Sequence, residues 1–202
     1  MKHYTYNTKY FHADLFNNDN CIIDNEICND ISKDWNYLEG VPIVVGFLHK
    51  NQIDIFLAET PDDKEFEEGV KSFIRKKVMD SVDLYSFNKH MEIGNFKGAW
   101  NITVDIKEIK PFMGRGWTKD KFYNELIARE VISDCKIVDV FQGDASLCIT
   151  KYNKFLETGK IEYALEIVKH NMNCVLKESV ILKHQNYFRN NYQVDERGWV
   201  VD

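Results

Sequence analysis

The stretch Cys21-Ile22-Ile23-Asp24-Asn25-Glu26-Ile27 narrows the possible folds more than any other part of the chain. Its short, mostly β-branched apolar lead reads as a strand inside a sheet. Residues two apart on an extended chain share a face. Asp24 and Glu26 therefore stand side by side at or just past the strand's end, with Ile22 on their face and Ile23 and Asn25 on the other. Two carboxylates this close repel unless something positive lies between them, and a divalent cation is the usual candidate. The plainer readings are an edge strand with a wet face, or a turn that begins at Asp24.

The rest of the chain supplies a sheet for that strand. Residues 2–8 alternate weakly and read as an edge strand. Residues 28–40 read as a polar loop, with Trp35, Tyr37 and Leu38 expected to pack over the sheet edge. Residues 41–47 and 53–58 read as an antiparallel hairpin, since 49–52 is too short for a helix. Thr60-Pro61 marks a helix start, with threonine as N-cap and periodic apolar residues to about 78. A strand over 81–87 then follows a helical crossover, which makes it parallel to its neighbour. A weak helix over 92–100, a strand within 104–109 and a helix from a Thr118 cap to about 131 come next. Helices over 145–157 and 161–184 close the pattern, and residues 188–202 read as a tail. The expected class is α/β, a mixed sheet of three antiparallel strands followed by parallel strands, flanked by helices. At 202 residues, 44% hydrophobic, without repeats or a hinge-like linker, the chain reads as one domain over 1–202.

The net charge of -6 and pI near 5.6 disfavour non-specific binding to duplex DNA. They do not weigh against a nuclease, because metal ions carry the positive charge where phosphate reacts. The cysteines, Cys21, Cys28, Cys135, Cys148 and Cys174, are odd in number and form no C-x-x-C pair. Without a signal-peptide pattern, they suggest a reducing cytoplasm. No apolar run reaches membrane-spanning length, so a soluble protein without membrane partners is expected.

On the helix over 161–184, Ile161, Ala164, Leu165, Val168, Met172, Val175, Leu176 and Val180 fall within one arc of about 100°. His170 and Cys174 lie one turn apart on nearly the opposite side. Such a pair ordinarily faces solvent or packs under a loop; the alternative is that it looks across at Asp24 and Glu26. Asn171, at the edge of the stripe, can anchor the helix by side-chain hydrogen bonds. Glu92 follows a strand directly, where α/β proteins often place chemistry, and Asn88 can hold the turn before it. The ordinary role of such a glutamate is a first-turn helix acid.

In their order and spacing these residues resemble the predicted 3′–5′ exonucleases of the DEDD superfamily, of ribonuclease H-like fold, in particular the bacterial branch whose last motif is H-N-x-x-D. Asp24-Asn25-Glu26 matches the first motif, D-x-E. Asn88 and Glu92 in YSFNKHMEIG match the second, with glutamate where aspartate is usual. His170 and Asn171, after YNKFLETGKIEYALEIVK, match the third, and Cys174 occupies the final aspartate position. The resemblance spans about residues 20–183. It implies a divalent-metal-dependent 3′–5′ exonuclease that hydrolyses single-stranded DNA or RNA with two ions, Mg²⁺ or Mn²⁺. By the resemblance, Asp24 bridges both ions, Glu26 serves one and orients water, and Glu92 ligates the other. His170 acts as general base. Cys174 stands at a ligand position, where its thiolate suits a softer ion than Mg²⁺ and weakens one of the two sites. Asp139 or Asp144, from the preceding segment, is a candidate to compensate, and Arg115 or Lys119 a candidate phosphate contact. A catalytically impaired relative that binds nucleic acid or protein stays open beside this reading. On either, Asp24→Ala is expected to leave the fold intact or slightly more stable, by relieving like-charge repulsion.

Overall fold

The computed structural model describes residues 1–8, 18–28, 40–114, 116–133, 137, 139–142, 144 and 146–201. Its strands are β1 (Lys2–Asn7), β2 (Asn18–Cys28), β3 (Val41–Lys50), β4 (Gln52–Leu57), β5 (Leu84–Ser86) and β6 (Lys107–Glu108). They form one mixed sheet in the order β1-β4-β3-β2-β5-β6. β2, β3 and β4 are antiparallel neighbours, and β1 adds to the outer side of β4. β5 and β6 run parallel to β2. The helices are α1 (Lys64–Met79), α2 (Lys89–Trp100), α3 (Lys119–Ala128), α4 (Ser146–Thr158), α5 (Ile161–Lys183) and α6 (Gln185–Asn191).

Alternation along β2 sorts the helices onto two faces. Asp24 lies beneath Asn171 of α5, whereas its neighbour Asn25 accepts a hydrogen bond from Asn95 of α2 at 3.1 Å. On the α2 side, Phe47, paired with Ile23 across the ladder, meets Phe73 of α1. Helices on both faces explain why Ile22 and Ile23 are both fully buried. A strand covered on two sides needs apolar residues at successive positions.

α5 departs most from the one-sided stripe. Every residue from 173 to 181 is buried, among them Asn173, Lys177, Glu178 and Ser179. The helix lies across β2, β3 and β4, and α3 and α4 pack against its other sides. His170 and Cys174, outside the expected apolar seam, are therefore only 3% and 8% exposed.

Several boundaries differ for local reasons. Asp63, not Thr60, caps α1, accepting from the Phe66 N–H at 3.0 Å. That choice sets Glu65 and Glu67 in the first turn, where the helix dipole favours them. α2 starts at Lys89 and survives Gly94 because Phe96 and Trp100 are buried; packing outweighs propensity there. The Asn88 side chain makes no cap; its backbone N–H instead donates to Ser86 Oγ at 3.2 Å. The two parallel strands are shorter than 81–87 and 104–109. Residues 188–202 are not a patternless tail. Phe188 is fully buried against Phe112, Trp117 and Phe122, and Val194 bridges Val200 while Met113 bridges Trp199. Trp35, Tyr37, Leu38, Arg115 and Cys135 lie outside the described residues. No described helix is long and apolar enough to cross a membrane.

Gly46, opposite Asp24 on β3, is where the sheet and α5 approach most tightly. A Cβ there would lie 2.1 Å from Asn171 Oδ1 and 3.3 Å from Val175 Cγ1. Gly46→Ala is expected to destabilise the protein by about 1–3 kcal/mol in urea unfolding. Combined with Asn171→Ala, the loss should be smaller than the sum of the two single losses. Strict additivity would mean that the two residues do not meet.

Candidate metal centre

Three elements deliver charged side chains to one cleft of about 250 Å³, lined by Asp24, Glu26, Lys119, Asp139, His170 and Cys174 among others. β2 presents Asp24 and Glu26 two residues apart. α5 presents His170 and Cys174 to the cleft one turn apart, with the fully buried Glu178 a further turn along the same side of the helix. α3 begins at Thr118, whose hydroxyl accepts from the Lys121 N–H at 3.2 Å, and this start points Lys119 and Asp120 at the cleft. An ion pair between Lys177 and Asp120 fastens α3 to α5.

In one half of the cleft, His170 Nε2 lies 3.2 Å from Glu26 Oε1 and 3.7 Å from Cys174 Sγ. Its Nδ1 lies 2.6 Å from Asp139 Oδ1. Asp139 is itself held by the Phe141 N–H at 2.9 Å, and the Phe141 ring covers the imidazole with centroids 4.9 Å apart. Glu26, His170 and Cys174 each offer one ligand atom, and the three atoms lie within 4.8 Å of one another. This is a single cluster of metal-ligand closeness among the described residues, and it is largely buried.

In the other half, Lys119 Nζ stands 2.8 Å from Asp24 Oδ1 and 2.6 Å from Glu178 Oε1. The second contact is a close ion pair whose angles fall outside good hydrogen-bond geometry. Asn171 Nδ2 donates to Asp24 Oδ2 at 2.8 Å and to the Asp24 carbonyl at 3.2 Å. Glu178 Oε2 accepts from the Phe87 N–H at 3.2 Å. Glu92 is 1% exposed, and its Oε2 makes no hydrogen bond among the described residues.

Burial sets the electrostatics. Desolvation and the nearby Asp24 carboxylate push Glu92 well above the usual carboxylate range. Glu178 is raised by burial above all, against the opposing pull of Lys119. Burial disfavours the Lys119 charge, but Asp24, Cys174 and Glu178 outweigh it and hold the ammonium charged. Burial would likewise lower His170. The bonds to Asp139, Cys174 and Glu26 overcome it and raise the imidazole to about 12. Glu26 is raised by its burial, with His170 pulling the other way.

Asp24, Glu26, His170 and Cys174 thus meet at one cleft. Glu92 stands behind it, within electrostatic reach of Asp24 and Glu178. The cluster is a single one and not the expected pair of metal sites, because the positive group beside Asp24 is the Lys119 ammonium. Lys119 is for the same reason not poised as a free phosphate contact. Asp139 orients His170 instead of replacing a lost ligand, while Asp144 accepts from the Ser146 N–H ahead of α4. Asp24 is compensated by Lys119 and Asn171, so Asp24→Ala would remove an ion pair and a buried hydrogen bond along with its repulsion of Glu26, Glu92 and Glu178, and the fold would lose stability, not gain it. Glu178 was missed. Its spacing from His170 and Cys174, two turns and one turn along the same helix, was the available signal.

Glu26, Glu92 and Glu178 all bind protons more tightly folded than unfolded. The stability tied to them is fully present below the ordinary glutamate value of 4.5 and is lost as pH rises through their raised folded values. Glu92→Gln removes the one without a cationic partner. It is expected to stabilise the protein by about 1–3 kcal/mol near pH 8, to change little near pH 4, and to flatten the fall of Tm with pH. Equal destabilisation at both ends would show that the Glu92 charge is not what folding opposes.

Comparison with known protein families, with curated proteins and with solved structures finds no match for this chain.

Proposed function

We propose that the protein is a divalent-metal-dependent 3′–5′ exonuclease of ribonuclease H-like type, acting on single-stranded DNA or RNA, whose principal metal site is formed by Glu26, His170 and Cys174. The observation that carries this reading is the convergence of those three ligand atoms within 4.8 Å in the cleft that Asp24 also lines. The sheet supports it too, with three antiparallel strands followed by parallel strands and helices on both faces. So does the meeting of the D-x-E pair on β2 with the His170-Asn171 pair on α5, residues far apart in sequence.

The donor set fits an ion. Asp139 engages His170 Nδ1, which leaves Nε2 directed at Glu26 and Cys174 in the arrangement that metal-bound histidines adopt. One oxygen, one nitrogen and one sulfur donor suit Zn²⁺ best; Mn²⁺ and Mg²⁺ are harder ions that prefer oxygen. A bound ion would supply Lewis acidity and a more acidic water. The residues would supply its position and a dry wall at Phe141, and the ion the positive charge set against a phosphodiester. His170 and Cys174 must each give up a proton to ligate, so affinity should rise with pH.

Co²⁺ serves as the spectroscopic probe. Titration should produce a thiolate-to-cobalt charge-transfer band that strengthens from about pH 6 to pH 8 and disappears in Cys174→Ser. A 5′-labelled single strand should be shortened from its 3′ end in Mn²⁺ or Zn²⁺ by the native chain, with at least a hundredfold loss in Glu26→Gln and Asp24→Asn. Undiminished cleavage by Glu26→Gln would sink the assignment. A second reading, a relative that binds nucleic acid or protein without cleaving it, is favoured by Lys119, whose ammonium already neutralises Asp24. Retention of the strand without shortening in any metal would select it.

A further inference from the structure

β5 has a cavity at each end. Asn88, just past its C-terminal end, lines the metal cleft, whereas Asp83 and Leu84, at its start, line a second cavity of about 640 Å³. The two cavities share no described residue. One wall of the second is α1, whose Lys71, Ile74, Arg75 and Val78 recur at the spacing of a single helix face. The other walls are residues 81–84, which lead into β5, and residues 102–105 with Lys107 of β6. We propose that this cavity is a binding site for a medium-chain aliphatic carboxylate, its head held by Arg75 and its chain laid along the apolar floor.

Size and lining set the class of ligand. Cavities of roughly 300–1,000 Å³, mostly apolar with a few polar groups, are the ones that take small molecules. The floor here is aliphatic. Ile74, Leu84 and Val104 are 5%, 2% and 7% exposed, and Val82 and Ile102 pack partly buried against the same core. Val78 and Met79 carry the apolar surface out to the rim, 57% and 83% exposed. No aromatic ring lines the cavity among the described residues. A planar ring therefore finds no stacking partner, whereas a flexible chain loses apolar surface against branched aliphatic groups.

Charge selects the head. Lys71 is engaged by Glu67 and Glu68, and Lys107 by Asp83. Arg75 is exposed and makes no ion pair or hydrogen bond among the described residues. Its planar guanidinium matches a carboxylate through two parallel bonds. Asp105 offers a cationic head one exposed carboxylate, and the helix-end carbonyls that could add to it are engaged. At the end of α1 the Val78 carbonyl accepts from the Ser81 N–H and the Lys77 carbonyl from the Val82 N–H, both at 3.0 Å. At the end of α2 the Lys97 and Phe96 carbonyls accept from the Asn101 and Ile102 N–H groups. These closures also fix both connecting segments against their helices, so the cavity is formed before a ligand arrives.

Octanoate, 1-octanol and octylammonium, each titrated into the full ¹⁵N-labelled chain, test head and chain separately. Octanoate should shift the amide resonances of residues 82–84 and 102–105 and leave those of Asp24 and Glu26 in place. It should bind about tenfold more tightly than 1-octanol, the worth of one charge-assisted contact, with octylammonium the weakest of the three. Arg75→Gln, an exposed change far from the core, should bring octanoate to the level of 1-octanol and leave 1-octanol unchanged. Octanoate shifts absent from the cavity, binding of either other ligand as tight as octanoate, or undiminished octanoate affinity in Arg75→Gln would overturn the proposal. Shifts at the cavity that follow protein concentration without any ligand would overturn it too, by giving this face to a second copy of the chain.

Discussion

Asn171 reaches from the middle of α5 to both the carboxylate and the carbonyl of Asp24, and the geometry of the cleft follows from that clamp. It requires the helix to lie almost on the backbone of β3, which is possible because position 46 has no side chain. With α5 seated there, its successive turns bring His170, Cys174 and Glu178 against the strand that carries Asp24 and Glu26. A buried amide-to-carboxylate bond is stronger than an exposed one and costly to leave half made, so it fixes the register of helix on sheet as well as adding to stability.

The cleft places two kinds of donor side by side. Glu26, His170 and Cys174 lie on one side and Asp24, held by Lys119 and Asn171, on the other, divided by the two-residue step from Asp24 to Glu26 on one strand. Protons are held differently on the two sides: bonds to Asp139, Cys174 and Glu26 keep the His170 imidazole protonated against its burial, whereas burial itself raises Glu92 and Glu178.

The sheet was legible because its signals are local and redundant. The β2 run, the short 48–52 connection and the helical crossover before β5 each allow one arrangement, and together they give the antiparallel and parallel neighbours. The α1 start was ambiguous because Thr60-Pro61 and Asp63 both make good first-turn residues, and only the Phe66 contact separates them. The polar face of α5 was harder to read. His170, Lys177 and Glu178 look like solvent-facing residues on a helical wheel, and their partners Asp139, Asp120 and Lys119 are dozens of residues away in sequence. Desolvated charges of this sort are tolerated only in pairs, and pairing across the chain leaves no periodic trace. The i, i+4 spacing of Cys174 and Glu178 was the exception, a trace present and passed over.

The aromatic packing at the C-terminus bears on the cleft from a distance. Phe188 and Tyr192 lie against Trp117 and Phe122, at the same end of α3 that begins with Lys119, and the Tyr192 hydroxyl donates to Glu125 of that helix. The final segment thus acts as a buttress for the helix that aims the lysine. The aim of Lys119 leans on aromatic packing supplied by the far end of the chain, beside the cleft and not inside it.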